Sequence, residues 1–504
     1  MADVSHVLLV HGWSADDASM ANVARLAREA GYETVDIYLG AYPSLDDVVQ
    51  AEDSARRMAV VIEELHAQGK LEKPFHVIVH STGAFIVRQW LADAYPASGS
   101  PVRNFLMLAP ANYGSPLAHL GRTALGRFLN IGKNGWQTGI ELLHQLELGS
   151  RYQEQLALRD RLNAEGTDST SPFSDSANGT RPFVIVGLKP VPAVSVLDEW
   201  AWDGTVRAAS AHFDPRGVTI DFARKTANGQ PTITRWTPRG IENTAFAVLP
   251  DHTHLSIIKP RNPNKSHAND AATKDRLADM ILEALAVKTP AQYRKVVEAW
   301  RTINNETRVL AQNTPEAEAL RQKILKRRDR IPRRYNEHYQ VVVQLEDDFG
   351  QPVTDYYVWF GAPSKSEDLR HLNVNEALNA SEIFAHEHVI VDAHKNRRNP
   401  ERRVLHLDRM ELMRSGGFFD RGTAQREKAL AIGLTAVAPG EAYSFFHEDE
   451  RRGSELITLR APTEGGYDDP DRFLKRYATH FVRVIAPRHP HASAFSAKPL
   501  TAFR

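Results

Sequence analysis

The chain has 504 residues, too many for one ordinary hydrophobic core, so we expect two domains. Lysine plus arginine and aspartate plus glutamate both number 62, so the overall charge predicts no nucleic-acid or membrane partner. Cysteine is absent, which excludes disulfides, thiolate metal sites and a cysteine nucleophile, and favours a reducing compartment.

The amino terminus has no basic region followed by a long apolar core, so we expect no cleaved signal peptide. No apolar run approaches the roughly 18 residues of a membrane-spanning helix. We therefore expect a cytoplasmic or peripherally membrane-associated protein.

Apolar, β-branched runs alternate with helical patterns through the first half of the chain. Ser44 and Asp47 have capping-box spacing and predict a helix that starts there and reaches about residue 68. This alternation predicts an α/β fold with a doubly wound, mostly parallel sheet in residues 1–289. The predicted strands are residues 6–10, 34–39, 75–80, 104–109, 183–187 and 244–249.

Within that domain, residues 113–162 have a helical pattern that several glycines interrupt. Glycine weakens helices, so this segment is predicted to be able to move. Leu117, Leu120 and Phe128 fall on one helical face, which is typical of a lid over an apolar pocket. A surface helix packed on the sheet fits the pattern equally well.

Residues 290–334 are helical in pattern, highly charged and poor in large apolar side chains, as expected of a connector. Its last part, residues 321–334, holds eight basic residues in fourteen positions. Such a stretch is usually a solvated helix face, but it also fits a peripheral contact with anionic lipid headgroups.

After residue 335 the pattern becomes alternating, which predicts a strand-rich, sandwich-like domain in residues 335–504. His386, His388 and His394 are interpreted as strand and turn residues in preference to metal ligands. The predicted strands are residues 339–345, 356–360, 383–391, 403–407, 443–446, 456–459 and 480–485.

The most informative stretch is residues 75–90, in which a strand pattern ends at His80-Ser81-Thr82-Gly83 and a helix pattern follows. This is the form of a nucleophile elbow, which exposes a serine at the end of a sheet strand. Val79 occupies the first position of the G-x-S-x-G motif, where glycine normally relieves crowding. We therefore expect a small neighbour opposite Val79.

A serine nucleophile needs a base and an orienting acid, which in this fold follow in the order serine, acid, histidine. Asp203, in the turn after strand 183–187, is the predicted acid, with Asp198 as the nearest competitor. His254 is the predicted base, because the residues after it begin an apolar pattern that packs back onto the domain. His252 remains the alternative base.

The oxyanion of the reaction needs two backbone N–H donors. Thr82, the residue after the nucleophile, supplies one, and Trp13 in the loop after the first strand is predicted to supply the other. Neither a P-loop nor a dinucleotide-binding fingerprint is present in the sequence.

Several motifs resemble the lipase branch of the α/β-hydrolase superfamily, specifically the PlaB-type bacterial phospholipase A and lysophospholipase A family. They are the V-H-G-W start, the H-S-T-G elbow, the N-Y-G-S-P-L-A segment, the W-D-G-T-V turn and the H-L-S-I-I-K-P loop, all between about residues 6 and 260.

The resemblance implies that Ser81, Asp203 and His254 hydrolyse acyl esters of phospholipids and lysophospholipids without a metal or cofactor. It also implies a membrane-associated homo-oligomer, a tetramer or a dimer. Phe495, Leu500 and Phe503 near the carboxy terminus either insert into a partner subunit or belong to a frayed tail.

Two other functions remain open at this point. A soluble carboxylesterase or neutral lipase would use the same triad on other esters. A non-catalytic binding or assembly protein on a degenerate hydrolase fold would explain Val79 in the elbow.

Overall fold

In the computed structural model of this chain, the described residues are 4–12, 20–37, 47–97, 99–118, 139–164, 170–176, 178–190, 200–227, 229, 231–260, 276–312, 314–325, 332–361, 383, 385–414, 429–438, 442–445, 457–460 and 473–491. They form two compact units: one comprises residues 1–216, 236–340 and 476–479, and the other comprises residues 217–235, 341–475 and 480–504. These units are interleaved along the chain, whereas the predicted ranges 1–289, 290–334 and 335–504 follow chain order.

The strands and helices are numbered along the chain. The strands are β1 (His6–Val10), β2 (Glu33–Ile37), β3 (Phe75–His80), β4 (Val102–Leu108), β5 (Leu162–Asn163), β6 (Arg181–Gly187), β7 (Arg216–Lys225), β8 (Pro231–Arg235), β9 (Thr237–Pro238), β10 (Ala245–Leu249), β11 (His338–Asp347), β12 (Tyr356–Gly361), β13 (Ile390–Lys395), β14 (Arg402–Asp408), β15 (Ala429–Ala436), β16 (Tyr443–Phe445), β17 (Ile457–Arg460), β18 (Thr479–Ala486) and β19 (Arg488–Pro490). The α-helices are α1 (Ala21–Glu29), α2 (Ala51–Ala67), α3 (Gly83–Ala94), α4 (Ile140–Leu146), α5 (Arg151–Asp160), α6 (Ala208–Ala211), α7 (Arg276–Ala286), α8 (Pro290–Val309), α9 (Pro315–Leu325) and α10 (Arg409–Arg414).

The first unit is built on a six-stranded sheet with the strand order β10-β6-β4-β3-β1-β2. All neighbouring pairs in it are parallel. Strands β1, β3, β6 and β10 are buried along their whole length, which explains why apolar and β-branched residues predominate in them. The predicted α/β fold class and its parallel sheet are confirmed.

Helix α2 begins later than the sequence predicts. It starts at Ala51, and the Asp53 side chain accepts a hydrogen bond from the N–H of Gln50, 3.1 Å away. The predicted start at Ser44 and Asp47 is wrong, because Asp47 lies in a turn and caps a different helix. Its carboxylate accepts a hydrogen bond from the N–H of Ile140, at the start of α4.

Helix α8, from the segment predicted as a connector, covers the outer edge of the first sheet. Its Tyr293 and Trp300 are buried, and the Asn304 side chain replaces a missing neighbouring strand for β10. The Asn304 amide accepts from the N–H of Val248 at 2.8 Å and donates to the carbonyl of Phe246 at 2.9 Å. An edge strand that leads to the candidate active site is thereby closed to other strands.

The second unit is strand-rich, as predicted. Its sheets have the orders β13-β14-β11-β18-β7-β8, β12-β15-β17 and β16-β19. The predicted strand 383–391 is partly wrong, because Ala385–Val389 forms a π-helical turn and β13 begins at Ile390. The β7–β8 hairpin precedes β10 in the chain but pairs within the largest of these sheets.

Three predicted features lie wholly or partly outside the described residues. They are the centre of the lid-like segment (residues 119–138), residues 326–331 of the basic stretch, and the carboxy-terminal Phe495, Leu500 and Phe503. In the part of the chain that is described, no helix is long and apolar enough to cross a membrane.

Substitution of Asn304 tests whether its side chain satisfies the backbone groups on the free edge of β10. We expect Asn304→Leu, which removes both polar groups at similar volume, to lower the free energy of unfolding by about 2–4 kcal/mol, since two buried backbone groups lose their partners. Asn305 is exposed next to it, so Asn305→Leu should change the value by less than about 0.5 kcal/mol. Equal effects of the two substitutions in urea unfolding would contradict the proposed edge cover.

His76 gives a test of pH dependence. Burial, followed by the charges of Arg181 and Arg103, lowers the pKa of His76 to about 3. Between this value and the ordinary histidine pKa the unfolded chain binds the extra proton, so stability is lost as pH falls below about 6.5. We expect His76→Gln to remove about 2 kcal/mol of the stability loss between pH 7.5 and pH 5.0. An unchanged pH dependence in urea unfolding would contradict this.

Candidate active site

Ser81 lies in a sharp turn between β3 and α3. Its φ is 54°, a left-handed conformation that non-glycine residues rarely adopt. The Ser81 N–H donates to the carbonyl of Leu108 at 3.1 Å, which ties the turn to the neighbouring strand. Ser81 itself is half-buried, so the strained turn presents its side chain at the sheet end as a nucleophile elbow does.

Two glycines allow the close approach at this elbow. A Cβ atom on Gly12 would lie 2.9 Å from the Cβ of Ser81, and one on Gly83 would lie 2.9 Å from the carbonyl oxygen of Val10. Val79 itself lies in the regular part of β3, in register with Val10 and Met107. The loop after β1 therefore packs directly against the turn.

Asp203 is fully buried in a turn after β6. One carboxylate oxygen, Oδ1, accepts hydrogen bonds from the N–H groups of Thr205 and Val206, at 2.9 and 2.8 Å. The other oxygen, Oδ2, lies 2.9 Å from Nδ1 of His254. The competitor Asp198 lies outside the described residues.

His254 lies in the loop after β10, with its side chain buried. Besides the ring contact with Asp203, its N–H donates to the carbonyl of Asp203 at 2.9 Å. The alternative base, His252, instead has its Nδ1 2.8 Å from Oδ1 of Asp251. Of the two histidines, the structure places His254 against the predicted acid.

Ser81, Asp203 and His254 follow the strands β3, β6 and β10. Because the strands are parallel, all three residues lie at the carboxyl end of the sheet. A carboxylate can only accept, so Nδ1 of His254 carries a hydrogen, and in the neutral imidazole the lone pair is then on Nε2. This is the tautomer that a histidine base requires.

The predicted oxyanion donors are only half described. Thr82 caps the amino end of α3, where backbone N–H groups favour negative charge. Trp13 lies outside the described residues.

The residues that support the turn containing Asp203 are not evident from the sequence. The Ser115 hydroxyl donates to the carbonyl of Thr205 at 2.6 Å, and the Asn112 amide donates to the carbonyl of Ala211 at 2.8 Å. Both belong to the A-N-Y-G-S-P-L-A segment after β4. Its small and polar residues are a signal, but the sequence gives no means of pairing them with residues 90 or more positions later.

A buried ion pair anchors α3, the helix that follows Ser81. Arg88 of α3 is fully buried and binds both oxygens of Asp160, at 2.8 and 3.0 Å. Its remaining nitrogen donates to the carbonyl of Asn112 at 3.0 Å. Burial, the largest single effect, lowers the pKa of Arg88, but the charge and hydrogen bonds of Asp160, together with Tyr113 and Tyr152, hold that pKa above its ordinary value. The helix after the nucleophile and the segment that supports the acid turn therefore share one anchor.

No group of three or more histidine or acidic residues among the described residues could hold a metal ion. His386 belongs to the π-helical turn and lies 3.3 Å from the hydroxyl of Tyr357, and His394 belongs to β13.

Gly187 gives a test of how the acid and base loops pack. A Cβ atom there would lie 2.0 Å from the carbonyl oxygen of His252 and 3.3 Å from the Cβ of Asp203. Gly187→Ala is therefore expected to displace the two loops and lower the turnover of any ester that the site cleaves by about 100-fold.

The control for Gly187 is Gly99→Ala. Gly99 has a φ of 83° and open space around it, so the substitution strains the backbone without meeting another group. It should lower thermal stability and leave kcat unchanged. Equal activity of the two variants would contradict the expected packing of the loops.

No family model matches the chain, and no curated protein matches it in sequence. Among solved structures, it is similar to phospholipase PlaB from Legionella pneumophila, with a TM-score of 0.71 and 23% identity over 99% of this chain and 97% of that chain. A second structure, PlaB in complex with thio-NAD, gives a TM-score of 0.69 and 23% identity over 98% and 96%. Lipase BlEst2 from Bacillus licheniformis gives a TM-score of 0.34 and 16% identity over 51% and 88%.

The motif resemblance is thus confirmed at the level of the fold. The chain has the α/β-hydrolase fold, and its similarity to phospholipase PlaB covers 99% of its residues.

Proposed function

We propose that this protein is a serine hydrolase that cleaves acyl esters of glycerophospholipids and lysophospholipids at a membrane surface. The observation that carries the proposal is the buried hydrogen bond between His254 and Asp203, at the sheet edge where Ser81 occupies a strained elbow. A buried acid and histidine in this arrangement serve to activate a hydroxyl nucleophile.

In the acylation step, the Ser81 oxygen attacks the ester carbonyl carbon while Nε2 of His254 takes the serine proton. The resulting imidazolium is stabilised by Asp203, and the oxyanion accepts hydrogen bonds from backbone N–H groups such as that of Thr82. When the tetrahedral intermediate collapses, the carbon–oxygen bond to the leaving group breaks. His254 then donates its proton to that oxygen, and an acyl-enzyme remains.

In the deacylation step, a water molecule takes the place of the leaving group. His254 removes a proton from the water as its oxygen attacks the acyl carbon, and it later returns a proton to the Ser81 oxygen. The products are a free fatty acid and either a lysophospholipid or a glycerophosphodiester. The mechanism uses no metal or cofactor.

Two observations support a lipid substrate. The chain is similar in fold, over 99% of its residues, to a protein named as a phospholipase. Leu255, the residue after the proposed base, is a large apolar side chain that is 41% exposed. We infer that this side chain, one residue from the proposed base in the sequence, contacts an acyl chain or a lipid surface.

Ser81→Ala tests the proposal. Wild-type protein should release fatty acid from vesicles of phosphatidylcholine and from lysophosphatidylcholine, and the substitution should lower both rates by roughly 10³-fold or more. A fluorophosphonate should label the wild type and leave Ser81→Ala unlabelled, because labelling needs an activated serine.

Ser176→Ala is a matched control, since Ser176 is an exposed loop serine. It should keep wild-type rates and labelling. Hydrolysis of short p-nitrophenyl esters alone would replace the phospholipase proposal with a carboxylesterase. Absence of both hydrolysis and labelling in the wild type would indicate a non-catalytic protein.

A further inference from the structure

His80, the residue before the proposed nucleophile, contacts the proposed base directly. Its side chain is buried, and its Nε2 lies 3.0 Å from the carbonyl oxygen of His254. A carbonyl oxygen can only accept, so Nε2 of His80 must carry the hydrogen and donate it. The contact joins residues 174 positions apart in the sequence.

The two imidazole rings also pack on each other. Their centroids are 4.6 Å apart, with an angle of 44° between the ring planes. His80 therefore touches both the main chain and the ring of His254. The loop after β1 packs closely against His80, since a Cβ atom on Gly12 would lie 3.0 Å from the His80 carbonyl oxygen and 3.4 Å from its Nδ1.

His254 is held by hydrogen bonds to two different residues, Asp203 and His80. Its N–H and its Nδ1 both bind Asp203, which fixes the ring relative to the acid. Its carbonyl oxygen binds His80, which is covalently next to Ser81. The hydrogen bond from His80 thus ties the base loop to the strand that carries the nucleophile.

The charge state of His80 suits this role. Burial lowers the pKa of His80 well below its ordinary value, and a charge on His254 or His11 would lower it further, while the hydrogen bond to His254 acts in the opposite direction. His80 is therefore neutral when His254 becomes an imidazolium. A neutral donor holds the loop without repelling the charge that forms beside it.

We propose that His80 is a positioning residue that sets the distance between the proposed base, His254, and the proposed nucleophile, Ser81, by donating a hydrogen bond to the carbonyl oxygen of His254. The inference rests on the proposed serine-hydrolase chemistry. It adds a third point of attachment for the base, on the nucleophile's own strand.

Three substitutions of His80 distinguish the effect of losing its hydrogen bond from the effect of losing the volume of its ring. In His80→Gln the amide nitrogen can take the place of ring Nε2, whereas in His80→Asn it reaches only the place of Nδ1. In His80→Phe a ring remains and the donor is lost. We expect kcat on a short p-nitrophenyl ester to fall about tenfold or more in the Asn and Phe variants, and less than about threefold in the Gln variant. KM should change little in all three.

His76→Gln is the matched control, because His76 is a second buried, neutral histidine on the same strand with no contact to the base loop in the described structure. It should keep the wild-type kcat. Hydrogen–deuterium exchange of residues 250–258 gives a second measurement that needs no activity. Exchange there should rise in the Asn and Phe variants and stay near the wild-type rate in the Gln variant.

The inference is overturned if the three His80 variants lose activity equally, if His76→Gln loses as much, or if exchange of residues 250–258 is unchanged in the Asn and Phe variants. Failure of the proposed function would look different. Wild-type protein that cleaves short esters but no phospholipid would overturn only the substrate, and wild-type protein that cleaves no ester would leave the exchange measurement to decide the role of His80.

Discussion

The site depends on the hydrogen bond between the buried carboxylate of Asp203 and the ring of His254, because the fold must supply partners for a buried charge. Removing a carboxylate from water costs several kcal/mol unless hydrogen bonds replace its hydration. Here two backbone N–H groups and one imidazole do so. Each depends on a neighbour: the turn that supplies the N–H groups is held by Ser115, and the base loop can approach only because Gly187 has no side chain. The acid thus explains features spread over more than a hundred residues.

Arg88 meets a similar demand on the other side of the elbow. It is a fully buried cation whose donors reach Asp160 and the carbonyl of Asn112, and its guanidinium also lies 4.9 Å from the ring centre of Phe213. Truncating one member of such a pair leaves the other charge buried without its partner, which destabilises proteins strongly. Because Asn112 also binds the segment after the acid turn, the pair links the helix behind Ser81 to the support of Asp203. The geometry of the site is therefore set by the buried carboxylate of Asp203 and by the buried ion pair of Arg88 and Asp160.

The sequence predicted the features whose causes are local. Apolar runs identified the strands of the parallel sheet, and the order of serine, acid and histidine along the chain selected three residues that the structure brings to one sheet edge. Contacts between distant residues could not be predicted in this way. Asp47 has capping-box spacing with Ser44, yet it caps a helix 93 residues later. Asn304 lies in a charged helix whose composition indicates a connector, yet its amide completes the hydrogen bonding of β10. In both cases the residue type indicated a capping or hydrogen-bonding role, but the sequence did not indicate which distant residue would be its partner.

The same distinction explains Val79. Glycine is expected at the first position of the G-x-S-x-G motif because the sharp turn brings the backbone close to neighbouring segments. The motif alone places that crowding at the position that Val79 occupies. In this structure a Cβ atom cannot be accommodated at Gly12 or Gly83, where the loop after β1 meets the turn. Val79 lies two residues before Ser81, in regular strand pairing on both sides. Space at this elbow is therefore short at Gly12 and Gly83, whereas valine at position 79 is accommodated in the strand. An elbow without its first glycine should be judged by the residues that face the turn, which here include a glycine in the β1 loop.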